Sequence, residues 1–221
     1  MRTHDSAVRV MIVDDHSMLV DALKMSLETT PAGETPIEVI VALDLTHNSV
    51  LDLALLEQPD VVLLDVDLGT DERNVDLVAP LTRSGHSVVL FTGWNGAGLL
   101  GDAIEAGAAG ILRKSDTFDR LLGGIRDAAA GRSVTPPAER DSLVAEARRL
   151  HEVDDVRAAR LASLTPRELH VLERLTTGST AEQIASDETI SLSTVRTHIK
   201  AILRKLEVSS QLAAVASALG R

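Results

Sequence analysis

The first half of the sequence contains a short apolar run that leads straight into a carboxylate. Val61, Val62, Leu63 and Leu64 precede Asp65 without interruption. An unbroken run of valine and leucine indicates a strand that is buried on both faces, as in a parallel sheet. Open α/β sheets bind their ligands beyond the carboxyl ends of the strands. Asp65 is therefore the first candidate for chemistry, although by itself it fits the role of a loop cap equally well.

Four further apolar runs alternate with segments of helical periodicity, a pattern typical of a doubly wound, five-stranded parallel sheet of the α/β class. The predicted strands cover residues 8–13, 37–42, 61–64, 87–92 and 109–113. Four of them end at polar side chains, which are Asp14 and Asp15, Asp65, Thr92 and Lys114. Because the carboxyl ends of parallel strands share one edge of the sheet, these five side chains are expected to surround a single crevice.

The chemical types of these five side chains predict phosphoryl transfer. Three neighbouring carboxylates, Asp14, Asp15 and Asp65, repel one another and require a hard cation, and oxygen ligands suit Mg²⁺. Beside the metal Asp65 is ionised and can attack a phosphoryl group, which gives an aspartyl-phosphate. Lys114 would offset the charge on the phosphoryl oxygens. Thr92 would donate a hydrogen bond to the attached phosphate.

The net charge of −11 is distributed unevenly, which indicates two modules with different partners. Residues 1–135 carry 10 basic and 21 acidic side chains, residues 136–160 carry 5 and 6, and residues 161–221 carry 7 and 6. The acidic excess therefore lies in the first module. The sequence has no cysteine, no apolar signal-peptide core and no apolar run near the roughly 20 residues of a membrane span. We expect a cytoplasmic protein that does not associate with membranes.

The second module is predicted to begin with two short helices. Thr165, Pro166 and Glu168 together form a helix start, with a cap, a proline at the first helical position and the partner of a capping box. Ser179 and Glu182 repeat the capping-box spacing. These two helices and the tight turn after them are typical of a helix-turn-helix.

The helix that begins at Ser191 has a basic face. Its polar side chains are Arg196, Thr197, Lys200 and Arg204, and no acidic residue lies between Ser191 and Lys205. The second helix of a helix-turn-helix enters the major groove, where arginine and lysine can read guanine edges or pair with phosphates. Ser193 and Thr194, at the positive end of the helix, can bind a phosphate. A basic face on an isolated helix is usually only solvated, so the interpretation depends on the helix and turn before it.

Residues 134–163 are predicted to form a helical linker. Pro136-Pro137 is expected to end the last helix of the first module, and the linker helix to begin near Asp141 or Ser142. Its apolar positions recur at helical spacing, at Leu143, Ala147, Leu150 and Val153. A solvated spacer and a helix for dimerisation or domain docking both fit this pattern. The predicted domains are therefore residues 1–133, the linker, and residues 164–221.

The last helix is predicted to bury Leu212, Val215 and Leu219. The small side chains of Ala213, Ala214 and Ala216 would then be available for close approach by a second subunit.

Residues 8–131 resemble a response-regulator receiver domain, on the matches at Asp14-Asp15, Asp65, Thr92 and Lys114. The resemblance implies that Asp14 and Asp15 hold Mg²⁺ and that Asp65 takes phosphate from the phosphohistidine of a sensor histidine kinase. It also implies that Thr92 and Lys114 sense the phosphate.

Three positions of the first module depart from this family's pattern. Ile111 stands where a switch aromatic is common, so a relay based on a rotating ring cannot operate in its usual form. Asn74 replaces a common glycine, a mild change because asparagine tolerates a left-handed backbone. Asp67 adds a negative charge that is expected to alter the lifetime of the phosphate.

Residues 164–219 resemble the all-α, four-helix LuxR-type DNA-binding domain. The matching residues are Leu164-Thr165-Pro166-Arg167-Glu168, Ile184-Ala185, Ser193-Thr194-Val195, His198 and Lys205-Leu206. The resemblance implies base contacts for Arg196, Thr197 and Lys200. Glu188 departs from a usual buried leucine, and Gln211 departs from a usual basic residue.

The two resemblances combine into a response regulator of the NarL/FixJ type, which implies a transcription factor and not an enzyme. Its expected partners are a sensor histidine kinase, double-stranded promoter DNA and, when active, a second copy, with RNA polymerase as a further candidate. Two alternatives stay open. One is a DNA-binding regulator that a ligand or protein gates without phosphorylation. The other is a phosphatase of the haloacid-dehalogenase type, suggested by Asp65-Val66-Asp67, although Gly69 stands where that motif has threonine or valine.

Overall fold

The protein consists of two compact units, Met1–Arg148 and Arg149–Arg221. The computed structural model describes residues 7–29, 34–66, 74–93 and 96–220. The first unit is an α/β unit and the second is helical, and each has a hydrophobic core of its own. Within the described parts of the chain, no helix is both long enough and apolar enough to cross a lipid bilayer.

Five parallel strands form one sheet in the order β2-β1-β3-β4-β5. The strands are β1 (Val8–Val13), β2 (Ile37–Val41), β3 (Val61–Leu64), β4 (Ser87–Thr92) and β5 (Gly110–Arg113). The predicted doubly wound parallel sheet is thus confirmed. In β3, Val62 and Leu64 enter the core on one face of the sheet, while Val61 and Leu63 enter the core on the other. Successive side chains of a strand point to opposite faces of the sheet. Because both faces are covered here, every position of β3 is apolar.

Five helices cover the two faces of this sheet. On one face lie α1 (Ser17–Glu28) and α5 (Phe118–Ala129); on the other lie α2 (His47–Glu57), α3 (Val78–Arg83) and α4 (Ala97–Glu105). A short 3-10 helix, Asn74–Leu77, precedes α3. The left-handed backbone considered for Asn74 is not adopted. Its side chain instead donates a hydrogen bond of 3.2 Å to the carbonyl of Val66.

A single helix, α6 (Pro137–Ala162), connects the units. A helix does lie within residues 134–163, but it begins earlier than the predicted start near Asp141 or Ser142. Pro137 occupies the first helical turn, where the missing N–H leaves no hydrogen bond unmade. Nor does Pro136-Pro137 terminate the preceding helix, because α5 already ends at Ala129.

The four spaced apolar residues of α6 have different surroundings. Ala147 is fully buried, and Leu143 and Val144 pack against the core of the α/β unit. Leu150 and Val153, by contrast, are 36% and 55% exposed. The first three turns of α6 therefore belong to the α/β unit.

The second unit contains four further helices after α6. They are α7 (Pro166–Thr176), α8 (Ala181–Asp187), α9 (Leu192–Leu206) and α10 (Gln211–Ala218). The capping box of Thr165 and Glu168 is confirmed. The second box was predicted one residue too early, because Thr180 caps α8 and Gln183 is its partner.

Of the three residues predicted to face the core from α10, Val215 packs against it, but Leu212 and Leu219 do not. Leu212 and Leu219 are 81% and 53% exposed, whereas Ala214 is buried at 1% exposure. Val215 and Ala218 pack at the edge of the same core. Ala214 therefore fills the core and is not available to a second subunit.

Candidate functional site

Three carboxylates meet at the carboxyl edge of the sheet. Asp14 and Asp65 follow the ends of the paired strands β1 and β3, and the amide of Asp65 donates to the carbonyl of Val13 at 2.9 Å. Ligand atoms of Asp14, Asp15, Asp65 and His16 all lie within 4.8 Å of one another. The side chains of Asp14 and Asp65 are nearly buried, at 1% and 3% exposure, while that of Asp15 is 37% exposed. A group of this composition offers mainly oxygen ligands, with one side open to water.

Lys114 directly follows β5, and its side chain extends into this group of carboxylates. Its Nζ lies 2.7 Å from Asp14 Oδ2 and 2.6 Å from Asp65 Oδ2. Burial alone would lower the pKa of this ammonium group, but hydrogen bonds and charge attraction from Asp14 and Asp65 outweigh it and raise the pKa above 10.5. The lysine therefore stays charged and partly neutralises the carboxylates.

Thr92 lies at the same edge, at the end of β4. It is fully buried, and its carbonyl accepts a hydrogen bond of 3.1 Å from the amide of Lys114. Ile111, the second residue of β5, is buried in the core with 7% of its surface exposed. Its amide donates a hydrogen bond to Thr135 Oγ1 at 2.8 Å. Asp67 lies outside the described residues, so its expected effect on phosphate lifetime remains a prediction.

His16 is a residue that the sequence interpretation missed. Its Nδ1 lies 3.0 Å from Asp14 Oδ1 and 2.8 Å from Asp15 Oδ1. Its amide also donates to Asp14 Oδ1 at 2.9 Å. The sequence signal that could have identified His16 was its position directly after Asp15. A residue that connects the end of a strand to the start of a helix lies close to the crevice at the carboxyl edge of the sheet.

The second unit places α8 and α9 on either side of a tight turn. Thr189 in this turn has a positive φ of 54°. Ser191 caps α9 by accepting a hydrogen bond from the amide of Thr194 at 3.0 Å. Its Oγ also lies 2.7 Å from both Ser193 Oγ and Thr194 Oγ1. Exposed hydroxyls thus cluster at the positive end of α9.

The two faces of α9 differ as the sequence predicted. Val195, Ile199, Ile202 and Leu206 are buried in the helical core. The opposite face is exposed and consists of Ser193, Thr194, Arg196, Thr197, Lys200 and Arg204. Arg196 pairs with Glu182 of α8 at 3.3 Å, and the Thr197 hydroxyl donates to the carbonyl of Ser193 at 2.9 Å. The six candidate DNA contacts therefore lie together on one accessible, positively charged surface.

Glu188, the departure at the end of α8, lies in a charged pocket. Its side chain is 11% exposed, pairs with Arg167 and lies 2.8 Å from Nε2 of His170. The guanidinium group of Arg167 thus offsets the carboxylate that occupies the position of a usual leucine, and the imidazole of His170 lies beside it. Gln211 is exposed at the first turn of α10.

An α/β unit with an acidic edge, joined by a helix to a helix-turn-helix, defines the class of response regulators. The family model of the bacterial regulatory proteins of the luxR family (GerE) matches residues 162–218. The solved response regulator ChrA of a heme-sensing two-component system has the same fold, with a TM-score of 0.50 at 24% identity over 97% of this chain and 98% of ChrA.

Two transcriptional regulators are similar in sequence to this chain over both of its units. The probable transcriptional regulatory protein NarL of Mycobacterium tuberculosis is 32% identical over 218 residues, which cover 96% of this chain and 94% of NarL. The nitrate/nitrite response regulator protein NarP of Escherichia coli is 35% identical over 208 residues, with 93% and 92% covered. The chain therefore belongs to the NarL/FixJ-type two-component response regulators and is a transcriptional regulator with a LuxR-type DNA-binding domain.

Proposed function

We propose that Asp65 accepts a phosphoryl group from a sensor histidine kinase in the presence of Mg²⁺. The phosphoryl group then controls dimerisation and the binding of α9 to promoter DNA. The observation that carries the proposal is the position of the Asp65 carboxylate, nearly buried, 2.6 Å from a lysine ammonium and grouped with two further aspartates. A cytoplasmic location is part of the proposal, because a kinase of this kind presents its phosphohistidine there.

The residues of the acidic edge would divide the work of phosphoryl transfer. An oxygen of Asp65 attacks phosphorus, the new P–O bond replaces the P–N bond of the phosphohistidine, and the leaving imidazole keeps the electron pair. The carboxylates of Asp14, Asp15 and Asp65 would hold Mg²⁺, which would supply positive charge to the phosphoryl oxygens. Lys114 already contacts Asp65 and would hold its ammonium group at the same oxygens. Thr92 would then donate its hydroxyl to the phosphate.

The position of Lys114 supports a change of ion-pair partner on phosphorylation, from the carboxylate of Asp65 to the phosphate attached to it. While Asp65 is unmodified, the ammonium group lies between two buried carboxylates. Phosphorylation moves negative charge outward from Asp65, and the ammonium group would follow it. The receiver unit would promote its own phosphorylation and dephosphorylation in this way without acting on other substrates.

The decisive experiment incubates the full-length protein with a small phosphodonor such as acetyl phosphate. We expect a mass gain of one phosphoryl group per chain with Mg²⁺, and none when EDTA removes the metal. The modified peptide should contain Asp65 and lose the group in alkali. Binding to DNA from a random-sequence selection is compared with and without the phosphodonor. If the protein selects DNA but never acquires the phosphoryl group, it is the regulator gated without phosphorylation.

Removal of the Lys200 charge should weaken specific DNA binding. Lys200→Ala deletes one exposed cation from the basic face of α9, and we expect a loss of about 1–3 kcal/mol in binding free energy for a base contact. Lys24→Ala is the matched control, because Lys24 is an exposed lysine on α1 of the other unit. Affinities measured at several salt concentrations separate a base contact, which alters sequence preference, from a phosphate contact, which reduces the salt slope by about 1. Equal affinity of the two variants would exclude Lys200 from the interface.

A further inference from the structure

An acidic side chain of α8 contacts the basic face of α9. The sequence has no acidic residue between Ser191 and Lys205, so the acid comes from another helix. Glu182, in the first turn of α8, places its Oε1 3.3 Å from Nη2 of Arg196. The side chains of Glu182 and Arg196 are 62% and 66% exposed. The pair therefore joins the two helices of the helix-turn-helix on a surface that is open to solvent.

The stability of the fold does not account for this pair. Hydrogen bonds from its own backbone amide and from Thr180, together with the charge of Arg196, outweigh desolvation and lower the pKa of Glu182 below 4.5. Glu182 is thus charged at neutral pH. An exposed ion pair contributes little to stability, because water and salt screen it. The start of α8 is already capped by Thr180 and Gln183.

The position of Glu182 is unfavourable for contact with a phosphate backbone. In a helix-turn-helix the second helix enters the major groove, and the first helix crosses the backbone. An exposed carboxylate on the first helix repels phosphates. Its pairing with Arg196 also withdraws one positive charge that a phosphate could otherwise bind. Both effects weaken the binding of non-specific DNA, which depends on phosphate contacts alone.

The same pair leaves Arg196 able to read a base. A guanidinium group has five N–H donors, and the hydrogen bond to Glu182 uses one of them. The remaining donors can bind O6 and N7 of guanine together. A side chain that is already held in place also loses less conformational freedom on binding than a free one. The pair thus favours a base edge over a phosphate as the partner of Arg196.

We propose that Glu182 is a positioning residue that determines the sequence specificity of α9 through Arg196. It holds the guanidinium group in place for a guanine edge and keeps it from the phosphates. Non-specific DNA must compete with Glu182 for Arg196, whereas a target site with guanine at the matching position binds the donors that Glu182 leaves available. This inference deepens the proposed function and rests on the binding of α9 to promoter DNA.

The full-length Glu182→Gln protein tests this role. Glutamine keeps the size of the side chain but removes its charge, so Arg196 becomes free to bind a phosphate. We expect the affinity for a scrambled duplex to rise about 3- to 10-fold, and the slope of log affinity against log salt concentration to steepen by about 0.9. The ratio of the affinity for the selected duplex to that for the scrambled duplex should fall roughly 10-fold.

Glu173→Gln is the matched control. Glu173 is an exposed acid on α7, outside the two helices of the helix-turn-helix, so its substitution makes the same change in net charge. It should leave the salt slope and the affinity ratio at their wild-type values. A Glu182→Gln protein with the affinity ratio of Glu173→Gln would overturn the proposal. Amide hydrogen exchange of α9 should be the same in all variants, which shows that the helical unit remains folded.

The double variant Glu182→Gln/Arg196→Gln separates action through Arg196 from direct repulsion of DNA. In the Arg196→Gln background, Glu182→Gln should leave the salt slope unchanged, because no guanidinium group remains to be released. An equal effect in both backgrounds would contradict the positioning role. Affinities are measured with and without acetyl phosphate and Mg²⁺, so a failure of phosphorylation affects the proposed function alone. A wild-type protein that prefers no DNA sequence would overturn the proposed promoter binding itself.

Discussion

Asp65→Asn is expected to reduce phosphoryl uptake from acetyl phosphate to below detection. The amide of asparagine has almost the shape of the carboxylate but carries no charge and is a poor nucleophile. The fold should persist, because the hydrogen bond of residue 65 to Val13 uses the backbone and Lys114 keeps its ion pair with Asp14 at 2.7 Å. Intact-mass measurement gives the uptake, and DNA affinity with and without phosphodonor gives its consequence. The variant should bind DNA identically in both conditions.

The matched control for this substitution is Asp52→Asn. Asp52 is an exposed aspartate on α2 of the same unit, so the substitution removes the same charge away from the acidic edge. It should leave phosphoryl uptake at the wild-type level. Should Asp65→Asn still gain a phosphoryl group, another residue is the acceptor and the role proposed for Asp65 is wrong.

The second large effect concerns the stability of the helical unit in acid. Glu168 is 6% exposed, and hydrogen bonds from Lys205 Nζ at 2.6 Å and the Thr165 amide at 2.7 Å lower its pKa from 4.5 to about 2. A carboxyl group whose folded pKa is depressed stabilises the fold above its unfolded pKa. That stability is lost as the pH falls from about 4.5 toward 2. At about 1.4 kcal/mol per pH unit, the difference is on the order of 3 kcal/mol.

Lys205→Met should therefore destabilise the helical unit at neutral pH by about 3 kcal/mol, because it leaves a buried carboxylate without its cation. The variant should also lose much of the acid dependence, since the pKa of Glu168 would return toward 4.5. Hydrogen exchange of α7 amides in the full-length protein measures both. Glu173→Gln, at an exposed position of α7, is the control and should change neither. A steep acid transition that persists in Lys205→Met would assign the pH dependence to other groups.

The sheet was the part of the fold that could be predicted most fully. Apolar runs of four to six residues that end in polar side chains are unambiguous when they alternate with helical periodicity. Parallel topology then places every carboxyl end at one edge, so the approach of Asp14 to Asp65, which are 51 positions apart in the sequence, followed from the fold class alone. The basic face of α9 could also be predicted, because the helical repeat over 15 residues determines which side chains share a face.

Short or alanine-rich helices were predicted less well. In α10, with eight residues, either the leucines or the alanines could have faced the core. The structure buries Ala214 in the helical core and leaves Leu212 and Leu219 exposed. The same limit applies to α6, where periodicity revealed a helix but not which of its turns would be buried.

The sequence by itself determined the two classes of domain, the strands, the residues of the acidic edge and the basic face of α9. These features follow from local patterns of polarity, which persist whatever the surroundings. The tertiary structure alone decided that Lys114 lies between Asp14 and Asp65, that His16 joins them, and that Leu143 and Val144 of α6 pack against the core of the α/β unit. Such contacts depend on the shape and spacing of segments far apart in the chain, and packing, unlike periodicity, is settled only when those segments meet.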